Sequence, residues 1–162
     1  MDMSLQPQAL RPLLEAALQE LGPLLQAKAL SVDLQEEAGL PDVALDALRI
    51  GQVLRNLLSN AIKFSPEGGR IVVHLGLRGP SRKMASRLRL AIVDQGPGIP
   101  EDELESVFGE FVQSSQTRTG AGGTGLGLAI CRHIVEAHGG EIQARNAALG
   151  GAELIVDLPA LP

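Results

Sequence analysis

The glycine-rich stretch GAGGTGLGLAICRHIVEAHGG, residues 120–140, restricts the possible folds more than any other part of the sequence. Its first part is almost bare of side chains, and an apolar pattern with helical spacing follows at once. Glycine permits positive φ and close approach to the main chain, and a helix start offers unpaired N–H groups at the positive end of a dipole. The stretch therefore indicates an anion site, although a flexible hinge before an ordinary helix fits the same letters.

Length and composition bound the fold. A chain of 162 residues, 44% of them hydrophobic, suits one domain with its own core, so a single domain over residues 1–162 is expected. No apolar run reaches the eighteen or so residues that a membrane span requires, so direct membrane insertion is not expected. The one cysteine, Cys131, excludes an internal disulfide and a CxxC metal site and fits a reduced cytoplasmic setting.

Charge and aromatic content argue against nucleic acid as a partner. The net charge is −5, and the chain has three Phe but no Trp or Tyr. Nucleic-acid binding needs a basic face, and single strands also need stacking platforms. The sequence supplies neither.

The spacing of apolar residues predicts helices and strands in mixed order. Helical periods cover residues 9–30, with a break near Gly22 and Pro23, then residues 50–64 and 124–138, and a short helix is expected at 101–107. Strand-like segments are LSVDLQ, VALDA, IVVHLGLR, RLRLAIVD, EIQARN and ELIVDLP; GPSRKMAS is an exposed connection between the third and fourth, an antiparallel pair. The expected fold is a two-layer α/β sandwich, in which three helices cover one face of a mixed sheet of about five strands.

A polar stripe runs along the helix predicted at residues 50–64. Asn56, Asn60 and Lys63 recur at i, i+4 and i+7, so two carboxamides and one ammonium lie beside the apolar face. Carboxamide oxygens suit a hydrated Mg²⁺ ion, and a nearby lysine supplies positive charge to phosphates. The same residues also fit the solvated side of an ordinary helix.

The strand RLRLAIVD ends in an acidic residue, and the sequence QGPG follows it. Asp94 continues the alternation of the buried residues, and a carboxylate on that side needs a partner. It could accept a hydrogen bond from the exocyclic amine of adenine, with Gly96 and Gly98 allowing the ligand to approach. The alternative is a cap for the short helix that starts near residue 100.

Four motifs in a fixed order carry a family resemblance. NxxxNAxKFS, DxGxGI, FxxFVQ and GTGLGLAI resemble the N, G1, F and G2 boxes of the catalytic ATP-binding domain of bacterial sensor histidine kinases. The sequences around them, to the ending GGAELIVDLP, are similar to that family too, so the resemblance covers nearly the whole chain. It implies the Bergerat-type α/β sandwich shared with gyrase, heat-shock chaperone and mismatch-repair ATPases.

The resemblance also implies roles for the motif residues. Asn56 and Asn60 would hold Mg²⁺, Lys63 would meet the phosphates of ATP, and Asp94 would read adenine. The glycines of the last box would line the triphosphate. The further nucleotide-binding candidates come from the same boxes and the polar segment before the glycines: Phe64, Gly96, Gly98, Ile99, Arg118, Gly123, Thr124, Gly125, Leu126, Gly127 and Leu128.

By this resemblance the chain is the part of a larger kinase that binds Mg-ATP and donates the γ-phosphate to a histidine on a separate dimerisation helix, with a response regulator downstream. The family's acceptor histidine lies ahead of this domain beside an acidic residue, and His74, His133 and His138 do not fit that context. His138, in EAHGG, suits capping or packing. The acceptor helix, the sensor and any membrane anchor of the parent kinase are therefore expected outside these residues, and the isolated cytoplasmic domain is not expected to autophosphorylate.

A few residues distinguish the proposed function from its alternatives. GAGGTG satisfies GxGxxG, but the residues before it are polar where a dinucleotide-binding fold needs a strand, and no Lys-Ser or Lys-Thr follows at Walker A spacing. The ATPases of the family resemble each other in a water-activating glutamate four residues before the metal-binding asparagine, where this chain has Asn56. This favours transfer to a partner. A nucleotide-binding regulatory module without kinase activity and a free-standing serine kinase of the anti-sigma type remain alternatives.

Overall fold

A five-stranded mixed sheet organises the computed structural model, which describes residues 2–109 and 127–162. Two 3-10 turns, Glu101–Glu103 and Ser106–Phe108, precede the last helix. The remaining elements, in chain order, are β1 (Gln6–Gln8), α1 (Arg11–Glu20), α2 (Gly22–Ala27), β2 (Ser31–Glu36), β3 (Val43–Leu45), α3 (Ala47–Phe64), β4 (Arg70–Arg78), β5 (Arg87–Val93), α4 (Gly127–Ala137), β6 (Glu141–Asn146) and β7 (Ala152–Pro159).

The strand order of the large sheet is β2-β4-β5-β7-β6. β2 runs parallel to β4, and the other neighbours are antiparallel. The predicted two-layer α/β sandwich with a sheet of about five strands is thus confirmed. The strand predicted at VALDA lies outside this sheet, because β3 pairs with β1 in a separate two-stranded sheet. The sequence QPQ of β1 has no apolar alternation that could have predicted a strand.

The two faces of the sheet differ in chemistry. On β5, Leu88, Leu90 and Ile92 belong to the core shared with the helices. Arg87 and Arg89 alternate with them, and both donate hydrogen bonds to the buried carboxylate of Asp157 on β7. The helices therefore cover one face, and the centre of the core is the apolar side of α3: Ile50, Val53, Leu54, Leu57, Leu58, Ala61 and Ile62.

Several element boundaries differ from the predicted ones. The first helical pattern is broken at Leu21, as expected, into α1 and α2. α3 begins at Ala47 rather than residue 50, because Asp46 caps it by accepting a hydrogen bond from the Arg49 N–H at 3.1 Å. The short helix expected at 101–107 is instead the two 3-10 turns. The connection GPSRKMAS is not wholly exposed, since Met84 is buried.

His138 joins the end of α4 to the start of α3. Its Nδ1 lies 2.8 Å from the Ile134 carbonyl oxygen, and its Nε2 accepts a hydrogen bond from the Asp46 N–H at 3.1 Å. Because Nε2 accepts, the ring proton is on Nδ1. The packing role expected of this histidine is confirmed. Within the part of the chain that the structure describes, no helix has the length and apolar character needed to cross a membrane.

Lys28, just after α2, holds the end of α3. Its Nζ donates hydrogen bonds to the carbonyl oxygens of Ile62 at 2.7 Å, Lys63 at 3.1 Å and Ser65 at 2.6 Å. The last carbonyls of a helix lack partners within the helix and carry the negative end of its dipole, so a cation there stabilises it. Nothing in the local sequence predicts this contact, which spans 34 to 37 positions along the chain.

Replacing Lys28 with methionine should lower the free energy of unfolding by about 1–3 kcal/mol, since the aliphatic part of the side chain is kept while partly buried carbonyls lose their donor. Urea unfolding followed by circular dichroism measures the change. The matched control is Lys83→Met, which removes an exposed lysine 3.8 Å from Glu141 and should change stability by less than about 0.5 kcal/mol. Equal stabilities for the two variants would contradict the capping role of Lys28.

Candidate nucleotide site

The polar stripe of α3 faces the first turn of α4. Asn56, Asn60 and Lys63 are half-buried, and Asn56 Nδ2 donates a long hydrogen bond, 3.5 Å, to the Gly127 carbonyl oxygen. The glycine-rich stretch enters α4 at Gly127, so this bond brings two of the four motifs together. Asn60 has no side-chain hydrogen bond to any described residue, which leaves its carboxamide oxygen available to a ligand.

Lys63 is placed to meet an anion. Burial lowers the pKa of its ammonium group, and Nζ lies 5.4 Å from the centroid of the Phe64 ring. No carboxylate in residues 2–109 or 127–162 forms an ion pair with it. A partly desolvated cation without a counter-charge favours binding of a phosphate group.

Asp94 is buried at the end of β5, and among the described residues only one of its carboxylate oxygens has hydrogen-bond partners. Oδ1 accepts hydrogen bonds from the Gly96 N–H at 2.8 Å and the Ala152 N–H at 3.1 Å. Burial raises the pKa of the carboxyl group, opposed by these two bonds. Oδ2 has no partner among the described residues and can accept a hydrogen bond from an amine. The alternative prediction that Asp94 caps the following helix is wrong, because the 3-10 turn there has no side-chain cap.

Gly96 fixes how closely the 94–99 loop, from Asp94 to Ile99, approaches α3. A Cβ at this position would lie 2.5 Å from the Phe64 carbonyl oxygen, so any other residue would push the loop away. The loop that carries the free carboxylate oxygen therefore passes directly beside the end of α3 that carries Lys63. This close approach brings the motif DxGxGI next to the motif NxxxNAxKFS, which already contacts the start of α4 through Asn56.

Two positions that shape the candidate site were not predicted from the sequence, and both lie in the β6–β7 hairpin. Asn146 forms two hydrogen bonds with the backbone of Ile99, and Gly151 has φ +87° at a place where a Cβ would lie 1.9 Å from the Asp94 carbonyl oxygen. The side chain of Ile99 packs against the core. The glycine pair before ELIVDLP was a possible signal for Gly151, but no local pattern points to Asn146.

The second 3-10 turn anchors α4 next to the site. Phe108 is buried, the guanidinium of Arg132 lies 5.1 Å from its ring centroid, and Arg132 forms an ion pair with Glu105. Cys131 is also buried, and burial raises the pKa of its thiol to about 12, so it is not a nucleophile at neutral pH.

The structure brings three sequence segments together. The end of α3, the 94–99 loop and the start of α4 meet through the contacts described above, and these segments include Leu128, which packs against the core. Arg118, Gly123, Thr124, Gly125 and Leu126 lie outside the described residues. The site residues placed by the structure are Asn56, Asn60, Lys63, Phe64, Asp94, Gly96, Gly98, Ile99, Gly127 and Leu128.

The donor set fits a magnesium ion that is bound together with phosphate. The described residues contain no group of three or more His, Cys, Asp or Glu able to hold a metal alone. An ion here would take amide oxygens, such as that of Asn60, together with phosphate oxygens and water. Mg²⁺ prefers this mixture of few protein ligands, phosphate oxygens and retained water.

Comparison with known proteins decides the family. Residues 45–162, which contain α3, the 94–99 loop and α4, match the family model described as "Histidine kinase-, DNA gyrase B-, and HSP90-like ATPase". The chain belongs to this family. As a histidine kinase-like ATPase domain it carries the fold and the motif order that the sequence predicted.

The relatives of the domain are sensor kinases. It is 38% identical over 143 residues to the adaptive-response sensory kinase SasA of Synechococcus sp. (strain CC9311), covering 88% of this chain and 36% of SasA. The solved catalytic domain of histidine kinase ThkA superposes with a TM-score of 0.82 at 29% identity, covering 99% of this chain and all of that one.

Full-length ShkA, solved in complex with AMPPNP, gives a TM-score of 0.81 at 28% identity, covering 99% of this chain and 32% of ShkA. A further ThkA structure, solved in complex with the response regulator TrrA, gives 0.77 at 27% identity over 98% of this chain and 42% of that one. The chain spans about a third of the length of SasA and ShkA.

Proposed function

We propose that this domain binds Mg-ATP and transfers the γ-phosphate to a histidine on the dimerisation helices of its parent kinase, in two-component signalling. One juxtaposition carries the proposal: Oδ2 of buried Asp94, which has no partner among the described residues, lies on a loop packed directly against the α3 end that holds Lys63. The Asp94 oxygen can accept a hydrogen bond from the amine of a base. Lys63 has no ion-pair partner and Asn60 no side-chain hydrogen bond among the described residues, so both can bind phosphate and its metal ion. The relation to SasA and ShkA supports this assignment.

Each residue then has one task. Asp94 Oδ2 accepts a hydrogen bond from the adenine amine, and Lys63 meets the phosphates. The amide oxygens of Asn60 and Asn56 hold Mg²⁺, which when bound neutralises phosphate charge during transfer. The backbone N–H groups around Gly123, Gly125 and Gly127 line the triphosphate, with Arg118 as a further phosphate contact.

Transfer is favoured over hydrolysis because the site lacks a base for water at position 56. The carboxamide of Asn56 cannot take a proton from water, and its Nδ2 is engaged with the Gly127 carbonyl oxygen. The attacking group is then supplied by the acceptor helix. Downstream, a response regulator takes the phosphoryl group, in keeping with the ThkA complex. The proposal places the domain in the cytoplasm, where ATP is available.

The binding half of the proposal is tested by calorimetry on the domain alone. Mg-ATP should bind, GTP should bind at least about tenfold more weakly because its O6 would face the Asp94 carboxylate, and ATP turnover should be very slow. Weak or equal binding of ATP and GTP would refute the adenine assignment. Brisk hydrolysis would instead favour an ATPase.

A further inference from the structure

The 94–99 loop is held at both ends by one pair of residues, which lies next to the turn of the β6–β7 hairpin. Asn146, the last residue of β6, is paired with Ala152, the first residue of β7. The N–H of Ala152 binds Asp94 Oδ1 at the start of the loop, and the Asp94 N–H binds the Ala152 carbonyl oxygen at 3.0 Å. Asn146 binds Ile99 at the other end of the loop.

The contact between Asn146 and Ile99 uses both polar atoms of the Asn146 side chain and both polar backbone groups of Ile99. Asn146 Oδ1 accepts a hydrogen bond from the Ile99 N–H at 2.7 Å, and Nδ2 donates to the Ile99 carbonyl oxygen at 2.7 Å. The carboxamide thus acts as a strand neighbour would, with one donor and one acceptor. Gly98, with φ +79°, lets the loop come this close, since a Cβ there would lie 2.8 Å from Asn146 Oδ1.

The geometry points to Asn146 as a positioning residue for nucleotide binding. Its paired hydrogen bonds fix the far end of the loop, and so fix where Gly96, Gly98 and the free Asp94 oxygen stand relative to α3. This inference rests on the proposed nucleotide site and adds to it a residue that lies outside the four motifs. Asn146 is itself exposed, so its side chain can be changed without burying a charge.

The variant Asn146→Asp tests the donor half of this contact. Its carboxylate still accepts from the Ile99 N–H, but its second oxygen faces the Ile99 carbonyl oxygen and repels it. On protonation the carboxylic acid regains a donor and becomes a hydrogen-bond match for the amide. The control is Gln143→Glu, which makes the same chemical change at an exposed position on the same strand, where the side chain has no hydrogen bond to a described residue.

The measurement is the dissociation constant for Mg-ATP of both variants and the unsubstituted domain between pH 7.5 and about pH 4, which reaches the ordinary pKa of an aspartic acid, with unfolding curves at each pH. Dividing the dissociation constant of each variant by that of the unsubstituted domain at the same pH removes the pH dependence that all three proteins share. The charged neighbours Arg145 and Glu153, which form an ion pair, are present in all three. We expect Asn146→Asp to bind Mg-ATP about tenfold more weakly than the unsubstituted domain at pH 7.5, and this ratio of dissociation constants should decrease as pH falls. For Gln143→Glu the ratio should stay near one at every pH.

Normal ATP binding by Asn146→Asp at pH 7.5, or a deficit that does not change with pH, would overturn the positioning role while leaving the proposed function intact. Failure of the unsubstituted domain to bind ATP would overturn both. A narrowing deficit with unchanged unfolding curves supports the assignment, because a merely structural role would change the unfolding curves over the same pH range.

Discussion

Replacing Asp94 with asparagine is expected to weaken ATP binding by about 2 kcal/mol, roughly 30-fold, with the fold intact. The asparagine oxygen can still accept from the Gly96 and Ala152 N–H groups, so the loop keeps its anchor. Its Nδ2 would then point where Oδ2 now stands, and two donors would face each other at the adenine amine. Calorimetry with ATP and GTP measures the change.

The same variant should lose its preference between purines. Guanine presents a carbonyl oxygen where adenine presents an amine, so the asparagine donor suits GTP better than the carboxylate does, and the ratio of ATP to GTP affinity should fall. Unchanged ATP affinity in a folded Asp94→Asn protein would remove Asp94 from the site.

Stability should respond to pH through the same carboxyl group. Burial raises its pKa in the folded state, so the folded protein binds its proton more tightly than the unfolded chain does. The corresponding stabilisation is fully present below the unfolded pKa and is lost as pH rises through the folded one. At neutral pH the Asp94→Asn variant, which carries no charge at this position, should therefore have a free energy of unfolding no lower than that of the unsubstituted domain. Urea unfolding measures both values.

Replacing Asn60 with alanine should reduce phosphoryl transfer to the acceptor helix by at least about 100-fold. The substitution removes an amide without a partner among the described residues, and with it a ligand for the ion that neutralises the phosphate charge. The helix itself should be undisturbed, because the side chain stands beside the apolar face of α3 and alanine favours helix. Initial rates of label transfer from ATP measure the effect.

Gln52→Ala is the matched control for this loss. It removes an amide from the same helix, eight positions and about 12 Å toward its start. Its transfer rate should equal that of the unsubstituted domain. If Asn60→Ala transfers phosphate as fast as Gln52→Ala does, Asn60 does not hold the metal.

Local sequence patterns account for much of the fold and for the motif residues. The period of α3 predicted which side is buried and placed Asn56, Asn60 and Lys63 beside it, since helix geometry alone relates these positions. The alternation of β5 placed Asp94 on the buried side in the same way. Both inferences need only neighbours within one element.

The contacts that shape the site join residues far apart in the chain. Asp94 binds Ala152 across 58 positions, Ile99 binds Asn146 across 47, and Lys28 reaches the end of α3 across 34 or more. No single-element period encodes such pairs, so they follow only from the packed sheet. β1 was not predicted from the sequence for a related reason: it forms a strand because it pairs with β3, and its own residues have no strand pattern.

The central claim is that this domain transfers the γ-phosphoryl group of ATP to a histidine and does not hydrolyse ATP. The most direct measurement mixes the domain with the dimerisation helices of its parent kinase and labelled Mg-ATP, then follows the label on the helices through acid and base. We expect label that appears only when both parts are present and that is lost in acid and kept in base, as phosphohistidine requires. Acid-stable label would indicate a serine kinase, and brisk release of free phosphate by the domain alone, unaffected by Asn60→Ala, would contradict both the metal assignment and the kinase function.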